Sequence, residues 1–252
     1  MKTIMVHSFR RGTGKSNLVA NLAVLMVQGG AKVGVIDLNF LTPSLAMLFG
    51  LDEDQIACSL NDYLWGRCRV TQLVQPVLLP AGISGKTWEV LLASASSRPS
   101  DVERMLQGRY TFEALGELLL QFSQAYALDV VLMDTPAGIT PDTLATMAHA
   151  QTLVMMLHTD QQDYQGTAVV VDIANRYLNI PRQILVLNDA PLSLDVNQAM
   201  DEMRSAFNVT EAWVLPHSDE LATLASADLF VLKQPLHPLT LQMQQLAQSL
   251  LD

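Results

Sequence analysis

The run "TIMVHSFRRGTGKSNLVANLAVLMVQGG", from Thr3 to Gly30, constrains the fold more than any other stretch of this chain. It begins with an apolar, strand-like segment. Two glycines one residue apart follow, then Lys15-Ser16, then apolar residues at helical spacing that end at Gly29-Gly30. A strand that turns into a helix through a glycine loop builds an α/β unit. The glycines let backbone N–H groups face inward, and the helix N-terminus adds its positive dipole end. Lys15 can reach β- and γ-phosphates, and Ser16 can hold Mg²⁺. The loop therefore predicts a nucleoside triphosphate cradle made by Arg11, Gly12, Thr13, Gly14, Lys15, Ser16 and Asn17. A chance glycine turn is the competing reading, and the flanking strand and helix argue against it. The usual G-x-x-x-x-G-K-[ST] pattern would have glycine where Phe9 stands.

The rest of the chain repeats the alternation. Buried strands are expected at 32–38, 128–134, 152–158, 183–189 and 211–216, and another within "WEVLLASA". Helices are expected at 112–126, 141–148, 161–178, 194–207 and 239–251, with a short one in "SLNDYLWG". Strands apolar on both faces and alternating with helices predict a single α/β domain over 1–252, a mainly parallel sheet covered on both sides. Ligands of such sheets bind at the carboxyl ends of the strands. Residues 51–109 are less regular and read as an elaboration of that domain.

Composition supports this and removes other classes. Half of the 252 residues are hydrophobic and 16% are charged, enough for a large core. No apolar run reaches membrane-spanning length, and the first residues lack a leader pattern, so a cytoplasmic location is expected. Cys58 and Cys68, ten residues apart, are expected to be separate reduced thiols. A formal net charge of −10 disfavours nucleic acid and anionic lipid as partners. The histidines, His7, His149, His158, His217 and His237, show no metal-ligand spacing and read as structural.

Three strand-end polar residues carry further chemistry. Asp134, before Thr-Pro-Ala-Gly, sits where a Mg²⁺ shell would be; a helix cap or turn is the alternative. Asn188 offers an amide that matches both edges of adenine; a turn-forming Asn-Asp pair is the alternative. Asp37 ends a buried strand, with Asn39 two residues on.

"RRGTGKSN" resembles the deviant Walker A loop of the ParA/MinD superfamily of positioning ATPases. "VGVIDLNFLTPSLAMLFG" resembles its first switch, and "VVLMDTPAGI" its Walker B strand and second switch. "LVLND" and "VLPHSDELATLASADLFVL" resemble its two adenine-side segments, so the likeness covers nearly the whole chain. The resemblance implies a P-loop NTPase that binds ATP and Mg²⁺, forms an ATP-dependent sandwich homodimer, and positions or partitions a cellular cargo. Ser16, Asp37 and Asp134 would serve the metal, Asn188 would read adenine, and Pro216 would pack beside it. Arg10 stands where the family has a lysine that crosses the dimer, and would act as an arginine finger; a solvated rim of both arginines that only attracts the nucleotide is the alternative. Arg11 stands at the family's first glycine. Asn39 replaces the family's second aspartate and cannot take a proton as a carboxylate does. With Lys15, Asp37 and Arg10 it forms the expected catalytic set, and it implies slow hydrolysis.

Other readings stay open. "DLNFLTPSLAMLFGL" and "SLNDYLWG" also resemble bacterial tyrosine kinases, but the five tyrosines are dispersed and none lies in the final segment. A third resemblance, to iron–sulfur carrier ATPases, lacks the C-x-x-C pair. A nearly non-hydrolysing ATP-dependent switch is a further possibility, favoured by Asn39. The final helix carries no Lys or Arg, so no membrane-targeting helix is evident. Arg176, Arg182, Arg204 and Lys233 are the only basic residues after Arg109, a weak basis for non-specific DNA binding. A protein adaptor or cargo is the favoured partner.

Overall fold

The computed structural model describes residues 1–80, 87–108, 113–178 and 180–252, with Glu113 described by its backbone alone. Eight strands form one sheet: β1 (Lys2–His7), β2 (Val33–Asp37), β3 (Gln75–Leu79), β4 (Trp88–Ala93), β5 (Val130–Asp134), β6 (Thr152–Leu157), β7 (Arg182–Ala190) and β8 (Glu211–Pro216). Their spatial order is β3-β4-β2-β5-β1-β6-β7-β8. Every pairing is parallel except β3 with β4.

The helices in chain order are α1 (Lys15–Gln28), α2 (Leu45–Leu48), α3 (Leu60–Leu64), α4 (Val70–Leu73), α5 (Pro99–Leu106) and α6 (Glu113–Tyr126). Then come α7 (Pro141–Met147), α8 (Gln161–Ile173), α9 (Val196–Phe207), α10 (Asp219–Leu224), α11 (Phe230–Lys233) and α12 (Pro238–Leu251). They cover both faces. Ile4 and Val6 of β1 join a cluster with α1, α11 and α12, while Met5 joins the opposite cluster with α6, α8 and α9. The strands look uniformly apolar in sequence because each face has its own core. Gly34 on β2 permits this packing: a Cβ there would lie 2.7 Å from Leu128 Cδ1 and 2.9 Å from Phe122 Cε1.

The seven expected strands and the helical pattern are present, with shifted ends. α8 stops at Ile173 and continues as a π-helical turn, Ala174–Leu178. α9 starts at Val196, because the Asp195 side chain accepts from the backbone N–H of Gln198 at 3.1 Å and caps it. The antiparallel edge strand β3 was not expected; its short run contains Pro76, which an edge tolerates.

Cys58 and Cys68 are joined in a disulfide, which corrects the expectation of separate thiols. α3 and the turn after it bring their Cα atoms to 6.6 Å, a separation that a spacing of ten residues does not disclose. α12 is a packed element: Leu239, Met243, Leu246 and Leu250 are buried against α1 and the sheet. Its carboxyl end is held by Arg182, whose Nη1 donates to Ser249 O at 2.8 Å, and by Lys2, whose Nζ donates to Leu251 O at 2.5 Å. Among the described residues no helix is long and apolar enough to cross a membrane.

Candidate functional site

The central strand β1 delivers residues 8–14 to the carboxyl edge of the sheet, and α1 leaves from there. Gly12 (φ 80°) and Gly14 (φ 87°) both take the left-handed conformation that side chains disfavour. Gly14 has a second reason to be glycine, since a Cβ would lie 2.6 Å from Asn188 Nδ2. The loop wraps one wall of a cavity of about 320 Å³, which Arg11 through Asn17, Asn39 and Pro136–Ala137 line. Lys15, largely buried, donates from Nζ to Ser8 Oγ at 2.8 Å, and Ser8 Oγ donates to Arg10 O at 2.5 Å. Asn17 lines the cavity and donates from Nδ2 to Ser226 Oγ at 3.1 Å.

Asp37 and Asp134 end adjacent parallel strands in register, so the sheet itself sets the two carboxylates side by side. Both are buried. Asp37 accepts from three backbone N–H groups, Asn39 at 3.0 Å and Ser44 and Leu45 at 3.1 Å each. Asp134 Oδ2 accepts from Ser16 Oγ at 2.5 Å, while Oδ1 has no hydrogen-bond partner. Burial pushes the Asp37 carboxyl up to about 6. Burial and the neighbouring Asp37 push Asp134 up to about 7. Burial lowers the Lys15 ammonium, the Asp134 carboxylate opposes this, and Arg11 adds to the lowering. An orphaned buried carboxylate oxygen beside a serine hydroxyl is the donor set that a hard divalent cation takes, and Mg²⁺ fits it. Asp37, with its oxygens already engaged by amides, suits contact through metal-bound water.

On the other side of the loop, Gly12, Gly14, His158, Asn188, Pro216 and Ser218 line a smaller cavity of about 160 Å³. Asn188 donates from Nδ2 to Thr13 O at 3.0 Å, which leaves its Oδ1 free to face a donor such as an exocyclic amine. Thr13 is buried, with its hydroxyl unpartnered. Asp189 (φ 57°) is held by His217, whose Nδ1 lies 2.6 Å from Asp189 Oδ1 and whose Nε2 lies 3.1 Å from Asp219 Oδ1. Hydrogen bonds to those carboxylates raise the His217 imidazole.

The two arginines point different ways. Arg10 donates from Nη1 to Asp160 Oδ2 at 2.8 Å, with Nε 3.5 Å from Asp163 Oδ1, on the N-terminal turn of α8 in its own chain. Arg11 lines the larger cavity near Lys15. Sequence reasoning put His158 and His217 aside as structural, yet both stand at the carboxyl edge. The signal that could have found them was position: in "LHTD" and "LPHSD" the histidines directly follow the last residues of β6 and β8.

Phosphate loop, paired strand-end aspartates and parallel sheet define the class as a P-loop NTPase. The chain belongs to the ParA family: the family described as "ParA: NUBPL iron-transfer P-loop NTPase" matches residues 1–186. An uncharacterised ATP-binding protein of Methanocaldococcus jannaschii is 25% identical over 69% of this chain and 59% of its own length. The septum site-determining protein MinD of Synechocystis is 30% identical over 62% of this chain and 52% of its own. The matched stretches thus span little more than half of these relatives. The solved MinD cell division protein of Aquifex aeolicus superposes with a TM-score of 0.79 at 18% identity, covering 99% of this chain and 96% of that one. ParA/MinD membership and the α/β fold are thereby shown.

Proposed function

We propose that residues 1–252 act as one Mg·ATP-dependent switch of the ParA/MinD kind, with slow hydrolysis, that dimerises on ATP and engages a protein adaptor or cargo. The observation that carries it is the constellation at the loop: Lys15 and the loop amides for phosphates, with Ser16, Asp134 and Asp37 converging at one strand edge. Mg²⁺, when bound, would neutralise charge developing on the transferred phosphoryl group. Ser16 and Asp134 would hold it, and Asp37 would orient its water. Asn188 and Pro216 would clasp adenine. The family description mentions iron transfer, but this chain has no C-x-x-C pair and its two cysteines are joined to each other.

Asn39 supports the slow rate. It lines the phosphate cavity and its Oδ1 accepts from Thr42 Oγ1 at 3.1 Å, so it can orient a water but not take its proton. Asn39→Asp is expected to raise ATP turnover about tenfold or more in a phosphate-release assay. A wild-type rate already as fast as the variant's overturns the slow-switch reading.

Arg10 as a finger to the partner's nucleotide would first leave Asp160. The exposed pair with Asp160 holds it weakly, while leaving the buried Asp163 carboxylate, 3.5 Å from Arg10 Nε, adds to the cost. Size-exclusion chromatography with ADP, ATP and a non-hydrolysable analogue tests the dimer on wild type, Arg10→Ala and Arg11→Ala. A dimer with ATP that Arg10→Ala abolishes supports the finger. Loss only in Arg11→Ala transfers the role to Arg11, and a monomer throughout removes the sandwich dimer.

A further inference from the structure

His7 is the last residue of β1, wholly buried directly before the phosphate loop. The ladder between β1 and β5 ends at the pair Val6–Asp134. Beyond it, side chains carry the connection on. Thr135 Oγ1 donates to Val6 O at 2.8 Å, and His7 Nδ1 lies 3.0 Å from the same hydroxyl. With its proton on Val6 O, the hydroxyl accepts from His7 Nδ1–H, which fixes the tautomer. The backbone N–H of Gly138 then donates to Ser8 O at 2.9 Å. The tied segment follows Asp134 directly, contributes Pro136 and Ala137 to the phosphate cavity, and turns at Gly138 (φ 85°).

We propose that His7 is a positioning residue for the phosphate site: its imidazole latches Thr135–Gly138 to the strand end that carries the phosphate loop. The choice of side chain follows from the neighbour. A carboxylate at this depth would pair with Lys15 and draw it from the phosphates. A permanent cation would repel Lys15, and an aliphatic side chain would give Thr135 no donor. An imidazole donates without charge. Burial and the nearby Lys15 push its pKa down to about 3, with the Pro136 backbone opposing, so it stays neutral at physiological pH. The latch is thus built to hold the second switch in place while nucleotide occupancy rearranges the rest of the site.

The kinetic consequence rests on the ATPase reading, so the test has a readout independent of turnover. His7→Leu keeps bulk and removes the donor; His7→Asn restores a neutral donor; Thr135→Val keeps shape and removes the hydroxyl. Amide hydrogen exchange in the nucleotide-free protein is measured for residues 135–140 and for β6 to β8. His7→Leu is expected to speed exchange in 135–140 about tenfold while the strands stay unchanged. Its kcat is expected to fall about tenfold with KM for ATP within about threefold. His7→Asn returns both towards wild type, and His7→Leu combined with Thr135→Val is no worse than Thr135→Val alone, which already removes both the imidazole contact and the bond to Val6 O. Exchange in His7→Leu equal to wild type, an equal rise across the strands, an Asn variant no better than Leu, or additive losses in the double variant each overturn the latch. Should His7→Leu fail to fold, Thr135→Val carries the same comparison. A wild type without turnover removes the ATPase reading and leaves the exchange result to decide the latch.

Discussion

Asp134 keeps one carboxylate oxygen buried without a hydrogen-bond partner, next to a second buried carboxylate. In the metal-free protein both groups bind their protons more tightly than in an unfolded chain, since Asp37 is raised to about 6 and Asp134 to about 7. The folded state then holds more protons through that window, so stability falls as pH rises from about 4 and the whole cost is present above about 7. Asp134→Asn removes the charge and can still accept from Ser16. In EDTA at pH 8 the variant is expected to be more stable than wild type by about 1–3 kcal/mol, an advantage that fades towards pH 4. Adding Mg·ADP is expected to reverse the order. Thermal melts at several pH values check it, and a variant less stable than wild type at pH 8 without metal contradicts the role assigned to the pair. The candidate metal residues were legible because each ends a strand or starts a helix. His7 was not, because its meaning depends on Thr135, a residue 128 positions away.

At the scale of elements, α12 separates two readings that share one sequence pattern. An amphipathic helix near the chain end can lie on a membrane or on its own domain, and the absence of Lys and Arg favoured the domain. The packing agrees: Leu246 is fully buried within the cluster that includes α1 and the sheet. Leu246→Ala is expected to cost about 2–5 kcal/mol in urea unfolding, the range for a large-to-small change in a packed core. A cost under about 0.5 kcal/mol would show that the helix is not part of the core. Strands are readable where burial on both faces leaves an apolar run, while the five residues of β3 include Pro76 and the exposed Leu78 and bury only alternate positions. The end of α8 escaped notice, since nothing in "ANRYL" marks the change to a π-helical turn.

Over the whole molecule the charge distribution is the relevant quantity. The net charge is −10, and the four described basic residues after Glu113 are each paired on their own surface: Arg176 with Asp172, Arg182 with Glu211, Arg204 with Asp201 and Lys233 with Asp228. No unpaired basic patch remains among them to release counterions from DNA. DNA retention in filter binding at 0.15 M salt is therefore expected to be negligible with ADP and with ATP. A Kd near 10⁻⁶ M with a steep salt dependence would overturn this. The parallel α/β architecture, the phosphate loop and the strand-end aspartates can be read from the chain alone. Those features follow from local spacing, in which hydrophobic period, glycine and strand ends stand close together in the chain. Packing sets the rest: Arg10 faces α8 while Arg11 lines the cavity at the loop, Cys58 meets Cys68, and His7 meets Thr135. Side-chain direction and long-range contact depend on where separate segments are packed, and local spacing does not carry that information.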